Sequence, residues 1–129
     1  MLKERILFIT TVWPFPATDG GKITTELFLE ELSKYFEITL ISIEKTLHKQ
    51  NDRQKIREIL TFDRNGRMKS TIVSLVSKYP ASVMRYTNSE CIRYLKERKD
   101  DFDLVFVDHS AVYLNIIKAF SRRDRKSVV

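Results

Sequence analysis

Cysteine, glycine and proline are all scarce in this sequence of 129 residues, which contains one Cys, three Gly and three Pro. The single cysteine, Cys91, excludes an internal disulfide framework and a metal site built from several cysteines. The only histidines, His48 and His109, are too far apart in the sequence to have the spacing of zinc ligands. The sequence therefore predicts neither a disulfide scaffold nor a metal centre.

Long apolar runs are also missing, and none approaches the roughly 18–20 residues that cross a bilayer. The first apolar run, Ile6–Ile9, is too short for the core of a signal peptide. No small-residue cleavage site follows that run. We therefore expect a cytoplasmic protein, whose contact with a membrane, if any, is peripheral.

Three common catalytic signatures do not occur in the sequence. Without G-x-x-x-x-G-K-[ST] there is no phosphate-binding P-loop, and without G-x-G-x-x-G classical dinucleotide binding is disfavoured. The G-x-S-x-G motif that places a nucleophilic serine on a sharp turn is absent as well. We accordingly predict no bound cofactor.

Basic residues outnumber acidic ones, which gives a formal net charge of +6. Most of the excess lies in two stretches, Lys49–Lys69 and Lys118–Lys126. A basic surface attracts nucleic acid, anionic lipid or a phosphorylated substrate, but it is equally typical of a solvated helix face. Because neither interleaved aromatics nor a helix-turn-helix pattern accompanies these stretches, nucleic-acid binding is not predicted.

Apolar periodicity predicts a parallel sheet. Strands are expected at Arg5–Thr11, Glu37–Ile43 and Asp103–Asp108, with a helix beginning at Lys22 between the first two. A strand, helix and strand within about forty residues form a βαβ unit, whose strands are parallel. The sequence thus predicts an α/β, Rossmann-like domain with the first strand central and helices on both faces. The apolar side chains expected on the buried face of the first helix are Ile23, Leu27, Phe28, Leu32 and Tyr35.

The rest of the chain predicts further helices and the start of one more strand. Asn88 is a candidate N-cap for a helix in which Cys91 is expected to be buried and chemically inert. An apolar stripe of Ile56, Ile59 and Leu60 predicts another helix before the turn at Asp63–Gly66. The predicted helices are Asn51–Phe62, Met68–Val76, Asn88–Lys99 and His109–Phe120, and the strand begins at Lys126.

Gly20 and Gly21 lie between the first strand and the first helix. Two glycines there allow a ligand to approach the backbone closely, and amides near a helix amino terminus favour an anion such as phosphate. The alternative interpretation is a tight turn before the helix. The glycine pair alone does not decide between the two.

The segment Ile6–Gly21, with a buried strand, a Pro-rich loop and the glycine pair, closely resembles the opening of family 4 glycosyltransferases of the GT-B fold. The helix and the strand Glu37–Ile43 that follow are similar to that family too. The resemblance resumes at Phe102–Ser110, where such enzymes often carry an Asp, a buried strand and a polar residue or His. It implies a transferase that moves a sugar from a nucleotide-sugar donor to a polysaccharide or lipid-linked acceptor.

The resemblance also implies which residues bind. Donor or acceptor binding is implied for Gly20, Gly21, Lys22, Asp108, His109 and Ser110. His109 would orient an acceptor hydroxyl, although Asp108 or Ser110 can equally cap the next helix. Trp13 and Phe15 would stack on a sugar or lipid acceptor, or pack on their own domain. No residue is assigned to catalysis with certainty.

The chain departs from the family in lacking a histidine after the strand that begins at Lys126, and in lacking the half that grips the nucleotide diphosphate. We therefore expect residues 1–129 to form the acceptor-side domain of a two-domain enzyme, inactive alone and prone to self-association. The alternative is a non-catalytic binding or signalling module with a flavodoxin-like sheet.

Overall fold

The computed structural model of the chain describes residues 3–11, 20–44, 56–120 and 127–128. Within them, five parallel strands form one sheet in the order β3-β2-β1-β4-β5. The strands are β1 (Glu4–Thr10), β2 (Phe36–Ile43), β3 (Ile56–Phe62), β4 (Leu104–Val107) and β5 (Ser127–Val128). The predicted α/β, Rossmann-like fold is confirmed, with β1 at the centre of the sheet.

Helices lie on both faces of the sheet. They are α1 (Gly20–Leu32), α2 (Arg67–Val76), α3 (Ala81–Arg85), α4 (Ser89–Glu97) and α5 (Tyr113–Ala119), with single 3₁₀ turns at Lys99–Asp101 and Ser110–Val112. The predicted cap of α4 is confirmed, since the Asn88 side chain accepts a hydrogen bond from the Cys91 amide. Within the described residues, no helix has the length and apolar character to cross a membrane.

The alternation of side chains along β1 divides the core into two layers. Leu7 and Ile9 face α4 and α5, where they pack with Leu95 and Ile116. Ile6 and Phe8 face the other side, which is covered by α1. The rings of Phe8 and Phe106 stack there with centroids 4.8 Å apart. Because β1 is buried on both faces, its continuous apolar run was a reliable strand signal.

The predicted helix at Asn51–Phe62 is wrong for its described part, because Ile56–Phe62 is β3. The pairing of β3 with β2 shifts register at Arg57, which has no partner between Ile56 and Glu58. This bulge places Ile56 and Ile59 on the same face of the sheet, although regular alternation would separate them. Ile56 and Ile59 are three residues apart in the sequence, a spacing that is also typical of one face of a helix.

The predicted buried face of α1 is also partly wrong. Ile23, Leu27, Phe28 and Tyr35 are exposed and Leu32 is half-buried, whereas Thr25 and Leu29 are the buried residues of the helix. The face that packs on the sheet carries Leu29 together with Thr25, whose hydroxyl is hydrogen-bonded to a carboxylate at the edge of the sheet.

Two asparagine side chains, Asn115 and Asn65, hydrogen-bond the connection from α3 to α4. The Asn115 side chain on α5 accepts a hydrogen bond from the Asn88 amide (2.9 Å) and donates to the carbonyls of Tyr86 (2.8 Å) and Val112 (3.0 Å). Asn65 donates from its side chain to the carbonyl of Met84 at 2.7 Å. These bonds join the side chains of Asn65 and Asn115 to backbone groups at the end of α3 and at the starts of α4 and α5.

The Cys91 thiol is expected to be unreactive in the folded protein. Burial raises its pKa to about 12 from an ordinary 9.0, so the neutral thiol is favoured and its contribution to stability is lost as pH rises from 9 towards 12. At pH 8 we expect labelling by a disulfide reagent at least about a hundredfold slower in the folded chain than in guanidinium. Stopped-flow absorbance measures both rates, and similar rates would contradict the buried position.

Candidate functional site

The carboxyl ends of β1 and β4 lie side by side, and polar residues follow both strands. Thr10 ends β1 and is fully buried, and Asp108 comes directly after β4. The Thr10 hydroxyl donates to Asp108 Oδ2 at 2.7 Å, and the Asp108 amide donates to the Ile9 carbonyl at 2.9 Å. This is the edge at which open α/β sheets bind ligands.

Helix α1 joins the same carboxylate. The Thr25 hydroxyl donates to Asp108 Oδ2 at 2.8 Å, and Thr25 is only 3% exposed. One oxygen atom thus accepts hydrogen bonds from the end of β1 and from the second turn of α1. Gly20 begins α1 five residues earlier, about 7.5 Å along the helix axis at 1.5 Å per residue. The Asp108 carboxylate therefore holds the start of α1 close to the carboxyl edge.

The glycine pair opens α1 instead of lying in the loop before it, so the helix begins two residues earlier than predicted. Both glycines are exposed, and a Cβ atom added to Gly20 would meet no atom within 4 Å. Neither packing nor a left-handed backbone requires glycine at this position. Lys22 is half-buried in the same turn, which carries no acidic side chain.

His109 and Ser110 are exposed and follow Asp108 at this edge. His109 caps the 3₁₀ turn Ser110–Val112, because its Nδ1 accepts a hydrogen bond from the Ala111 amide at 3.2 Å. The cap is therefore His109, and not Asp108 or Ser110. In the neutral imidazole this bond leaves the proton on Nε2, which can then donate to a ligand.

Trp13 and Phe15, the two residues predicted to stack on an acceptor, lie outside the described residues. In the part of the chain that the structure describes, no group of three or more His, Cys, Asp or Glu side chains is arranged to hold a metal ion. Sequence reasoning missed Thr10 and Thr25 as partners of Asp108. The sequence features that could have identified these partners are a hydroxyl residue at the end of a buried strand and a second hydroxyl residue within the following helix.

A concave surface lies beside the amino terminus of α4, away from the sheet-edge residues described above. This cleft has a volume of about 480 Å³ and was not predicted from the sequence. Its charged lining residues are Asp63, Arg64, Lys69, Glu90 and Lys118. Since acidic and basic groups are mixed there, the charges do not specify one class of ligand.

Comparison of the sequence with protein-family models and with curated proteins gives no significant match. The resemblance to glycosyltransferases therefore stays a hypothesis, and the function must be argued from the geometry of the sheet edge.

Proposed function

We propose that this chain is the acceptor-side, amino-terminal domain of a glycosyltransferase that uses a nucleotide-sugar donor and a polysaccharide or lipid-linked acceptor. The observation that carries the proposal is the hydrogen bond from Thr25 to Asp108. It brings the two segments named by the resemblance, residues 20–22 and 108–110, to one edge of the sheet. The sequence places these segments more than eighty residues apart.

The start of α1 suits an anionic group such as a donor phosphate. The amides of a helix amino terminus and the helix dipole favour negative charge, and the first turn carries Lys22 and no carboxylate. The open space over Gly20 leaves room for a ligand to approach the backbone. In this proposal Gly20 and Gly21 contact the phosphate through their amides.

The residues after β4 have two different roles in this proposal. Asp108 acts as a positioning residue, because the oxygen that accepts both hydroxyl hydrogen bonds is already committed to the fold. His109 is exposed and, through Nε2, can donate to an acceptor hydroxyl and orient it. Ser110 lies beside it and contributes a second hydroxyl.

One domain supplies only one wall of a transfer site. Glycosyl transfer requires donor and acceptor to be held together in a cleft from which water is excluded. We propose that a second domain supplies the other wall and most contacts to the nucleotide. This chain alone should then bind sugar nucleotides weakly and should not turn them over.

We expect the wild-type chain to bind a uridine or guanosine diphosphate sugar with a Kd of about 1 mM, or roughly 4 kcal/mol. Gly20→Leu should weaken binding at least about tenfold, because its side chain fills the space over the amides. NMR titration measures both affinities. Gly66→Leu is the matched control, since Gly66 also adjoins a helix start and has open space around it.

The outcomes separate the hypotheses. Micromolar affinity in the wild-type chain would show a complete site and contradict the half-site proposal. Equal affinities for the Gly20 and Gly66 variants would remove the glycine pair from the site. A non-catalytic binding or signalling module, the alternative function, predicts no saturable binding of any sugar nucleotide.

A further inference from the structure

Helix α2 presents an apolar stripe away from the protein. Met68, Ile72, Leu75 and Val76 recur at the spacing of one helix face, and Leu75 and Val76 are 80% and 86% exposed. The opposite face, with Ser70 buried, packs towards the domain. The amphipathic pattern of α2 is therefore inverted, and core packing does not account for its apolar side chains.

The segment of sequence that carries this stripe has charges of one sign only. Residues 64–88 include five Lys or Arg and no Asp or Glu. Arg67, Lys69 and Lys78 are exposed, and none of them forms an ion pair with another described residue. Apolar side chains flanked by basic ones match a surface with an apolar interior and negative charges at its boundary.

The hydroxyl groups of α2 fit a water-poor neighbour as well. Thr71 donates to the Arg67 carbonyl at 2.8 Å, and Ser74 donates to the Thr71 carbonyl at 2.7 Å. Because these hydroxyls are already hydrogen-bonded within the helix, moving it to an interface leaves few unpaired polar groups.

We propose that α2 is a membrane-surface helix that lies in the headgroup region of an anionic bilayer, with Met68, Ile72, Leu75 and Val76 inserted. Its like-charged surroundings disfavour a second copy of the chain as the partner, since two such faces would bring their basic residues together. This interaction does not depend on the proposed sugar-nucleotide site, because it uses another helix and another ligand.

The test is vesicle co-sedimentation with the full chain. We expect binding to vesicles containing phosphatidylserine, weak or no binding to pure phosphatidylcholine, and loss of binding in high salt. The double variant Ile72→Gln, Leu75→Gln should lower the partition coefficient at least about tenfold. Ile23→Gln, Leu27→Gln is the matched control, because it alters the same two residue types at exposed positions of α1.

Thermal melting should show both double variants folded like the wild-type chain, since all four positions are exposed. Retained binding in the control, with loss in the α2 variant, supports the proposal. No binding to anionic vesicles, or equal loss in both variants, overturns it. A dimer that forms without vesicles and that the α2 variant abolishes would also overturn it, in favour of a second copy.

Discussion

Replacing Asn115 with alanine is expected to lower the free energy of unfolding by about 3–4 kcal/mol. Asn115 is 0% exposed, and its side chain serves the Asn88 amide and the carbonyls of Tyr86 and Val112. The variant would leave these groups buried without that partner and would add a small cavity. For a domain whose total stability is about 5–15 kcal/mol, this is a large fraction.

Urea unfolding followed by circular dichroism measures the loss. Asn65→Ala is the matched control, because its side chain also donates to two carbonyls but is only half-buried. We expect this control to lose about 1–2 kcal/mol. A smaller effect at Asn115 than at Asn65 would contradict the role given to the buried asparagine.

Asp108→Ala is expected to cost about 2–3 kcal/mol, because it removes the acceptor shared by the hydroxyls of Thr10 and Thr25. Asp108→Asn should cost only about 1 kcal/mol, since one amide oxygen can accept both hydrogen bonds. In a double-mutant cycle with Thr25→Val, unfolding free energies should show a coupling of about 1 kcal/mol. Strict additivity would mean that Asp108 does not hold α1 to the sheet edge.

The sequence predicted the central strands well because their signals are local. β1 is buried on both faces and is a nearly continuous apolar run. β2 alternates apolar and polar residues for most of its length, and the register pairs Ile6 with Ile38 and Phe8 with Leu40. Asn88 likewise predicted the start of α4 through a contact with Cys91, three residues away. Signals of this kind do not depend on the rest of the fold.

Errors arose where distant contacts decide the structure. The β3 bulge at Arg57 is defined by pairing with β2, and it changes an alternating pattern into one typical of a helix. The face of α1 that packs on the sheet includes Thr25, whose partner Asp108 is eighty-three residues away in the sequence. In α2 the apolar stripe predicted the helix correctly, but not that Ile72 and Leu75 would be exposed.

The candidate site was predicted only in part for the same reason. Gly20 and His109 were named from the resemblance, and each follows a parallel strand, which places both at the carboxyl edge of the sheet. Their connection through Asp108 depends on β4 lying next to β1, which sequence periodicity does not specify. The hydroxyls of Thr10 and Thr25 can be recognised as partners of Asp108 only when β4 is known to lie beside β1.

The most direct test of the central claim is the amide map of the sugar-nucleotide titration on ¹⁵N-labelled protein. If the carboxyl edge of the sheet is the ligand site, the amides of residues 20–22 and 108–110 should shift together and saturate near 1 mM. The amide resonances of the residues that line the cleft between Asp63 and Lys118 should not shift. Shifts confined to that cleft, or no saturable shifts at either segment, would contradict the proposed function.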